Sequence, residues 1–238
     1  MLAAIRSVLF ILIMAITVTL YATATVLCFF LPVKVRYAIA SSWPRLMLQV
    51  GRWLCGMRWR VIGTENLPDG PAIVLGKHQS TWETFFLLCH MPRPAAFVFK
   101  RELLFIPFFG WAIGMLDMMH IDRRHGRRAF EYIVKSAGKQ LHKYGRWIVM
   151  FPEGTRSKPG QQQPYKSGGA RLALKNDTPI VPVAVSSGRC WPKKPFIKQP
   201  GLITVSWGPV ISVTGKTSEQ LNQEVELWIE TEMRRIDP

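Results

Sequence analysis

The chain has 238 residues, 48% of them hydrophobic and 19% charged, a balance that can bury a core and excludes a disordered chain. With 31 Lys and Arg against 15 Asp and Glu the formal net charge is +16, which asks for an anionic partner: nucleic acid, an acidic lipid surface or a phosphorylated substrate. The four cysteines (Cys28, Cys55, Cys89 and Cys190) are scattered, with no Cys-x-x-Cys pair, so they read as small buried hydrophobes rather than a disulfide framework or a zinc site.

Between Arg6 and Lys34 no charged residue occurs. A bilayer-crossing helix needs about 20 apolar residues. The run is long enough to span and, because it ends at Pro32, also able to fold back as a helical hairpin. It exceeds an ordinary signal-peptide core, and no cleavage site followed by a polar start is evident. Lys34, Arg36, Arg45, Arg52, Arg58 and Arg60 follow it, which by the positive-inside rule puts the rest of the chain on the cytoplasmic side of the cytoplasmic (inner) membrane. Trp43 to Met57 mixes apolar residues with Arg45 and Arg52, and fits either an interfacial amphipathic helix or a core helix. Residues 1–57 are thus expected to form membrane-embedded and interfacial helices, and 58–238 a globular domain.

Beyond residue 57, short strands alternate with helices. Arg58 to Ile62, Ala72 to Leu75, Ala95 to Phe99, Met118 to Ile121, Trp147 to Phe151, Ile180 to Val185 and Leu202 to Trp207 read as strands. Thr81 to Cys89 reads as a helix. Arg127 to Tyr144 reads as another, with Ala129, Phe130, Ile133, Val134, Ala137 and Leu141 on one stripe and Gly145 as its C-terminal cap. A last helix starts near Ser218, where Thr217 and Gln220 fit a capping box. The alternation predicts an α/β fold with a mixed, mainly parallel central sheet flanked by helices.

Two segments carry chemistry. Lys77-His78-Gln79-Ser80-Thr81-Trp82-Glu83 follows the strand Ala72 to Leu75 and opens a helix, the junction where α/β proteins place ligands. On one straight helix His78 and Glu83 would stand about 140° apart. They converge only if His78 sits in the turn and Glu83 in the first helical turns. The carboxylate would then fix one ring nitrogen and leave the other to take a proton from a hydroxyl. Ser80 fits a contact at the helix N-terminus. Phe151-Pro152-Glu153-Gly154-Thr155-Arg156-Ser157 follows the strand from Trp147. There Gly154 permits a tight turn and Arg156 offers a planar cationic fork suited to phosphate.

Together these segments resemble the glycerolipid acyltransferase family, and within it the bacterial 1-acyl-glycerol-3-phosphate acyltransferases. Lys100-Arg101-Glu102-Leu103 with Pro107, Gly110 and Ile121-Asp122-Arg123 is similar to a second family block, and Ile180-Val181-Pro182-Val183-Ala184-Val185 to a fourth. Lys166-Ser167-Gly168-Gly169-Ala170 is similar to a stretch that precedes a helix in the family. Glu83 stands where the family usually has Asp.

The resemblance implies a catalytic domain over 58–238 in which His78, held by Glu83, deprotonates the sn-2 hydroxyl of 1-acyl-sn-glycerol-3-phosphate. The oxygen attacks an acyl thioester, acyl-CoA or acyl-acyl carrier protein, and yields phosphatidic acid without an acyl-enzyme. It implies an acceptor phosphate near Arg156, with Lys100, Thr155, Glu153, Gly154, Arg123 and Lys166 around it. Membrane lipids, the lysophospholipid and the acyl donor are the partners, with no cofactor. No metal is implied either, and the five histidines have no His-Glu-x-x-His spacing. No zinc-finger, RNP or basic-zipper pattern supports nucleic acid. Acylation of glycerol-3-phosphate, a lyso-ornithine lipid or a lipid A precursor stays open, as does a non-catalytic membrane protein that binds an anionic ligand.

Three other stretches have further readings. Phe105 to Met119 fits an acyl tunnel, a membrane-facing surface or plain core. Arg123-Arg124-His125-Gly126-Arg127-Arg128 fits an anion site or a solvated loop. Lys193, Lys194 and Lys198 with Trp191 and Phe196 fit a basic-aromatic surface at a bilayer.

Overall fold

The computed structural model describes residues 1–122, 126–193 and 196–237. Seven strands form one sheet: β1 (Met57–Ile62), β2 (Ile73–Gly76), β3 (Ala95–Lys100), β4 (Met119–Ile121), β5 (Trp147–Met150), β6 (Ile180–Val185) and β7 (Gly201–Trp207). Their order is β1-β7-β6-β2-β5-β3-β4. Every neighbouring pair is parallel except β6 and β7, so the sheet is mixed and mainly parallel. The central strands are near-continuous apolar runs because both faces are covered. Val74 and Val149 face a core built with α1 (Leu2–Leu27), α2 (Val33–Cys55) and α3 (Trp82–His90). Ile73, Leu75 and Ile148 face a second core built with α5 (Gly126–Gly138), α6 (Gly168–Lys175) and α7 (Ser218–Ile236). The period-2 alternation of the strands thus sorts the molecule into three layers.

Pro182 lies inside β6, where a missing N–H would normally break a ladder. Its carbonyl faces β7 and accepts from Gly208 N, just past the end of that strand, while Val183 turns to β2 and accepts from Lys77 N. The absent donor therefore falls at a strand end. On the second face, Gly169 lets α6 approach β2: an added Cβ would lie 2.6 Å from Leu75 Cδ2. The capping box at Thr217 and Gln220 forms as expected, with Gln220 N to Thr217 Oγ1 at 3.3 Å and Thr217 N to Gln220 Oε1 at 2.8 Å.

Three elements differ from the sequence reading. α2 starts at Val33, ten residues before the expected Trp43, and runs through Pro44. A proline reads as a helix start, which concealed the first half. Its buried residues include Trp43, Met47 and Leu48, while Leu46 and Trp53 stay exposed, so the one helix serves core and surface together. The helix expected to reach Tyr144 narrows to α5 followed by a turn of π-helix over Lys139–Lys143, and Gly145 closes it with φ of 60°. Trp191 and Lys198 do not form an exposed basic-aromatic surface. Both are buried, with the Lys198 ammonium 5.0 Å from the Trp191 ring centre; Lys193 and Phe196 are exposed, and Lys194 lies outside the described residues.

α1 is long and apolar enough to cross a membrane. It nevertheless docks on the domain along its whole length. Ser7 Oγ accepts from Lys198 N at 2.7 Å, and Phe10 meets Trp191 edge-on at 5.2 Å. Thr17 Oγ1 accepts from Trp43 Nε1 at 3.0 Å, while Ala22 and Thr25 are buried near its end. The opposite stripe, including Ile5, Leu9, Leu12, Ile16 and Leu20, is exposed. A helix with both ends on one globular body lies across that body, so α1 and α2 form a helical hairpin. Phe10→Ala should therefore lower the stability of the detergent-solubilised protein by about 3 kcal/mol or more. Leu12→Ala should leave it nearly unchanged, and thermal unfolding of both variants checks the pair.

Candidate active site

Three candidate segments sit at the C-terminal ends of parallel strands. β2 leads into Lys77 and His78, β3 ends at Lys100, and β5 leads into Phe151 to Ser157. His78 is gripped through its own backbone. Its N–H donates to Glu153 Oε1 at 2.8 Å, and its carbonyl accepts from Ser157 N at 2.8 Å and from Ser157 Oγ at 3.2 Å. The ring stacks on Phe151, with centroids 4.0 Å apart and planes 12° apart. These contacts fix the plane in which the imidazole works.

Glu83, the second residue of α3, reaches back into the turn with no exposed surface. Its Oε1 lies 2.9 Å from His78 Nδ1 and accepts from Gln79 N at 2.8 Å and Ser80 N at 2.7 Å. Its Oε2 accepts from Ser80 Oγ and Ser187 Oγ, both at 2.6 Å. Each hydroxyl has one proton, and both go to Oε2; the 2.9 Å between the two hydroxyl oxygens follows from the shared acceptor. Ser80 Oγ also accepts from Trp82 N at 2.9 Å, the helix N-terminal contact expected of it. Burial alone would raise the Glu83 pKa. The His78, Ser187 and Ser80 contacts outweigh it and hold the carboxyl below its ordinary range. An ionised Glu83 places the proton on His78 Nδ1, which leaves Nε2 as the ring nitrogen able to accept one.

His78 lines a cavity of about 480 Å³. Lys100, Gly154 and Arg156 share its polar end. No ion pair to Arg156 or Lys100 forms among the described residues. The remainder is mostly apolar and runs between the sheet and the helical hairpin, with Val18, Tyr21 and Ala22 of α1, and Ala112 and Ile113 of α4 (Phe109–Gly114), in its wall. The stretch from Phe105 divides between its readings: Phe109, Ala112, Leu116 and Met118 line the cavity, whereas Phe105, Ile106, Phe108 and Trp111 are exposed.

The other candidates are not gathered as the sequence suggested. Thr155 is exposed and outside the cavity wall. Glu153 turns away from the cavity, buried under the His78 amide, because its carboxylate serves that N–H. Lys166 is exposed, with its ammonium about 3.0 Å from where a Cβ on Gly154 would stand. Gly154 has φ of 67°, so the turn needs a glycine on both counts. Arg123, with Arg124 and His125, lies outside the described residues, and Arg128 is exposed. No group of three metal-ligating side chains occurs among the described residues. The sequence reading missed Ser187 and named Phe151 only as the start of its segment, without a role, although each sits at the C-terminal end of an apolar strand, which is the available signal.

Three outcomes follow for the carboxylate. Ser187→Ala should lower kcat by about tenfold with little change in KM, since a loosened orienting group misplaces the base. Glu83→Asp, one methylene shorter, should lose more, and steady-state kinetics ranks the two. A depressed carboxyl pKa adds stability that is complete at neutral pH and fades as pH falls through the folded pKa, below the usual glutamate value of about 4.3. The gap in thermal stability between the protein and Glu83→Gln should therefore be widest at neutral pH and shrink in acid.

Residues 58–186 match the family model described as Acyltransferase. A 1-acyl-sn-glycerol-3-phosphate acyltransferase of Pseudomonas aeruginosa is 40% identical over 99% of this chain and 93% of its own. One of Borreliella burgdorferi is 30% identical over 71% of this chain and 68% of its own. Among solved structures, the 1-acyl-sn-glycerophosphate acyltransferase PlsC of Thermotoga maritima superposes with a TM-score of 0.81, covering 98% of this chain and 97% of that one at 21% identity.

Proposed function

The chain belongs to the acyltransferase family, and we propose that it transfers a fatty acyl group to the sn-2 hydroxyl of 1-acyl-sn-glycerol-3-phosphate, giving phosphatidic acid. The observation that carries the chemistry is His78, with Nδ1 on the buried Glu83 and its side chain on the wall of a mostly apolar cavity that Lys100 and Arg156 also line. His78 Nε2 takes the acceptor's hydroxyl proton as the oxygen attacks the thioester carbonyl. The tetrahedral adduct then expels the thiolate by breaking the carbon–sulfur bond, and His78 returns the proton to sulfur. Glu83 stabilises the imidazolium between the two steps, as an orienting carboxylate does in hydrolytic triads. The acceptor's phosphate pairs with Arg156 and Lys100, and the apolar cavity takes an acyl chain.

The donor is an acyl thioester, carried by coenzyme A or acyl carrier protein. The enzyme sits on the cytoplasmic face of the cytoplasmic membrane, with the hairpin lying in one leaflet rather than crossing it. Two features support this attachment: α1 turns one apolar stripe outward along its length, and the exposed Phe105, Ile106, Phe108 and Trp111 stand on and beside α4, which packs against α1. Exposed apolar area of that kind is stable in lipid and costly in water. The cationic mouth then faces the phosphates of the same leaflet.

Purified protein in mixed micelles is to be given acyl-CoA or acyl-acyl carrier protein with 1-acyl-glycerol-3-phosphate, glycerol-3-phosphate or lyso-ornithine lipid. Phosphatidic acid made from the first acceptor is expected; turnover of another alone would move the substrate and keep the chemistry. His78→Ala should cut kcat by about 1000-fold. Arg156→Ala should raise KM for the phosphate-bearing acceptor by about 10- to 100-fold, the usual worth of a lost charge-assisted hydrogen bond. Paired Phe105→Ser and Trp111→Ser should weaken binding to anionic vesicles while sparing turnover of a short-chain, water-soluble acceptor.

A further inference from the structure

Behind the base, on the α7 side of the sheet, lies a set of charges that the acyl-transfer scheme does not use. Lys77 precedes His78 in the turn, but its side chain points to the opposite core, where it is 2% exposed. Its Nζ stands 2.7 Å from Glu230 Oε1, 3.2 Å from the Gln161 carbonyl and 3.4 Å from Glu153 Oε2. Tyr165 OH donates to Glu230 Oε1 at 2.8 Å. The other oxygen of Glu153 receives the His78 amide proton. One ammonium is therefore shared by two carboxylates, one on the last helix and one bonded to the backbone of the base.

A single carboxylate would neutralise Lys77. Adding a second buried carboxylate costs desolvation that a purely structural ion pair need not incur. The distances show what the second one does. Lys77 is nearer to Glu230 than to Glu153, and no hydrogen bond reaches Glu153 Oε2 among the described residues. The ammonium is thus close enough to favour an ionised Glu153 but is held back from closing on it. Burial pushes the Glu153 carboxyl up, against the His78 amide, Lys77 and Ser157, so the cation is one of the groups that favour the carboxylate. If Lys77 were free to move, it would contract onto Glu153 and draw the carboxylate off the His78 N–H.

We infer that Glu230, supported by Tyr165, is a positioning residue for the acyl-transfer step: it holds Lys77 at the distance that keeps Glu153 on the His78 amide. The inference rests on the acyltransferase reading above. It makes the C-terminal helix part of the mechanism, 153 positions away from Lys77.

The test uses the full-length protein in mixed micelles with the acyl-transfer assay, alongside thermal unfolding. Glu230→Gln should lower kcat by about tenfold or more, the loss expected of a displaced base. KM for both substrates should stay within about twofold, because neither substrate touches Glu230. Tyr165→Phe should show a smaller loss of the same kind. The double variant Lys77→Met with Glu230→Leu removes the cation together with its partner and leaves apolar side chains that pack. It should fold, with a lower unfolding temperature than the wild type, and keep a low kcat, since Glu153 is left buried without its cation. If the folded single variants match wild-type kcat, or if the double variant regains both stability and kcat, the network is only structural and the inference falls. Should Glu230→Gln fail to fold, the double variant decides by the same criterion. Absence of transfer by the wild type would overturn the functional reading itself; wild-type turnover with unaffected variants overturns this inference alone.

Discussion

A carboxylate with no solvent contact stays ionised only if other donors replace the water it has lost, and Glu83 satisfies that condition with five. Much of the local architecture is the means of supplying them. Two donors are consecutive backbone amides, so the chain between β2 and α3 must turn tightly enough to aim Gln79 N and Ser80 N at one oxygen. Two are hydroxyls, one from that turn and one from the end of β6. The fifth is the imidazole, which thereby receives its orientation and its tautomer. The extra methylene of glutamate is used here: from the first turn of α3 the side chain spans back to the turn and across to Ser187.

The parallel strands explain how distant segments meet. β6, β2, β5 and β3 run the same way, so the residues after each arrive at one edge of the sheet. Ser187, His78, Phe151 to Arg156 and Lys100 are brought together by topology rather than by proximity in the chain. The reversal between β6 and β7 adds two strands, β7 and β1, without adding to that edge.

The strands were legible as apolar runs, as was the convergence of His78 and Glu83, because both rest on local pattern: period-2 burial, and a histidine in a turn ahead of a helix. The last helix was legible from its capping residues alone. What escaped notice depends on partners far along the chain. Nothing near Glu153 in sequence says that it bonds the His78 amide rather than facing a ligand. Glu230 reads as an ordinary acid on an amphipathic helix until Lys77 is found 2.7 Å away. Ser187 looks like loop until its hydroxyl meets Glu83. Pro44 hid half of α2 because local rules treat proline as punctuation, and packing against α1 and the core overrides it.

The hairpin does more than cover the domain, because Val18, Tyr21 and Ala22 of α1 form part of the cavity wall. Cutting away the N-terminal segment would therefore open that cavity along one side. Exposed apolar stripe and cavity wall are two sides of one helix. A substitution that rotates or shifts α1 to suit its exposed face moves the cavity wall as well, so surface and cavity cannot change independently.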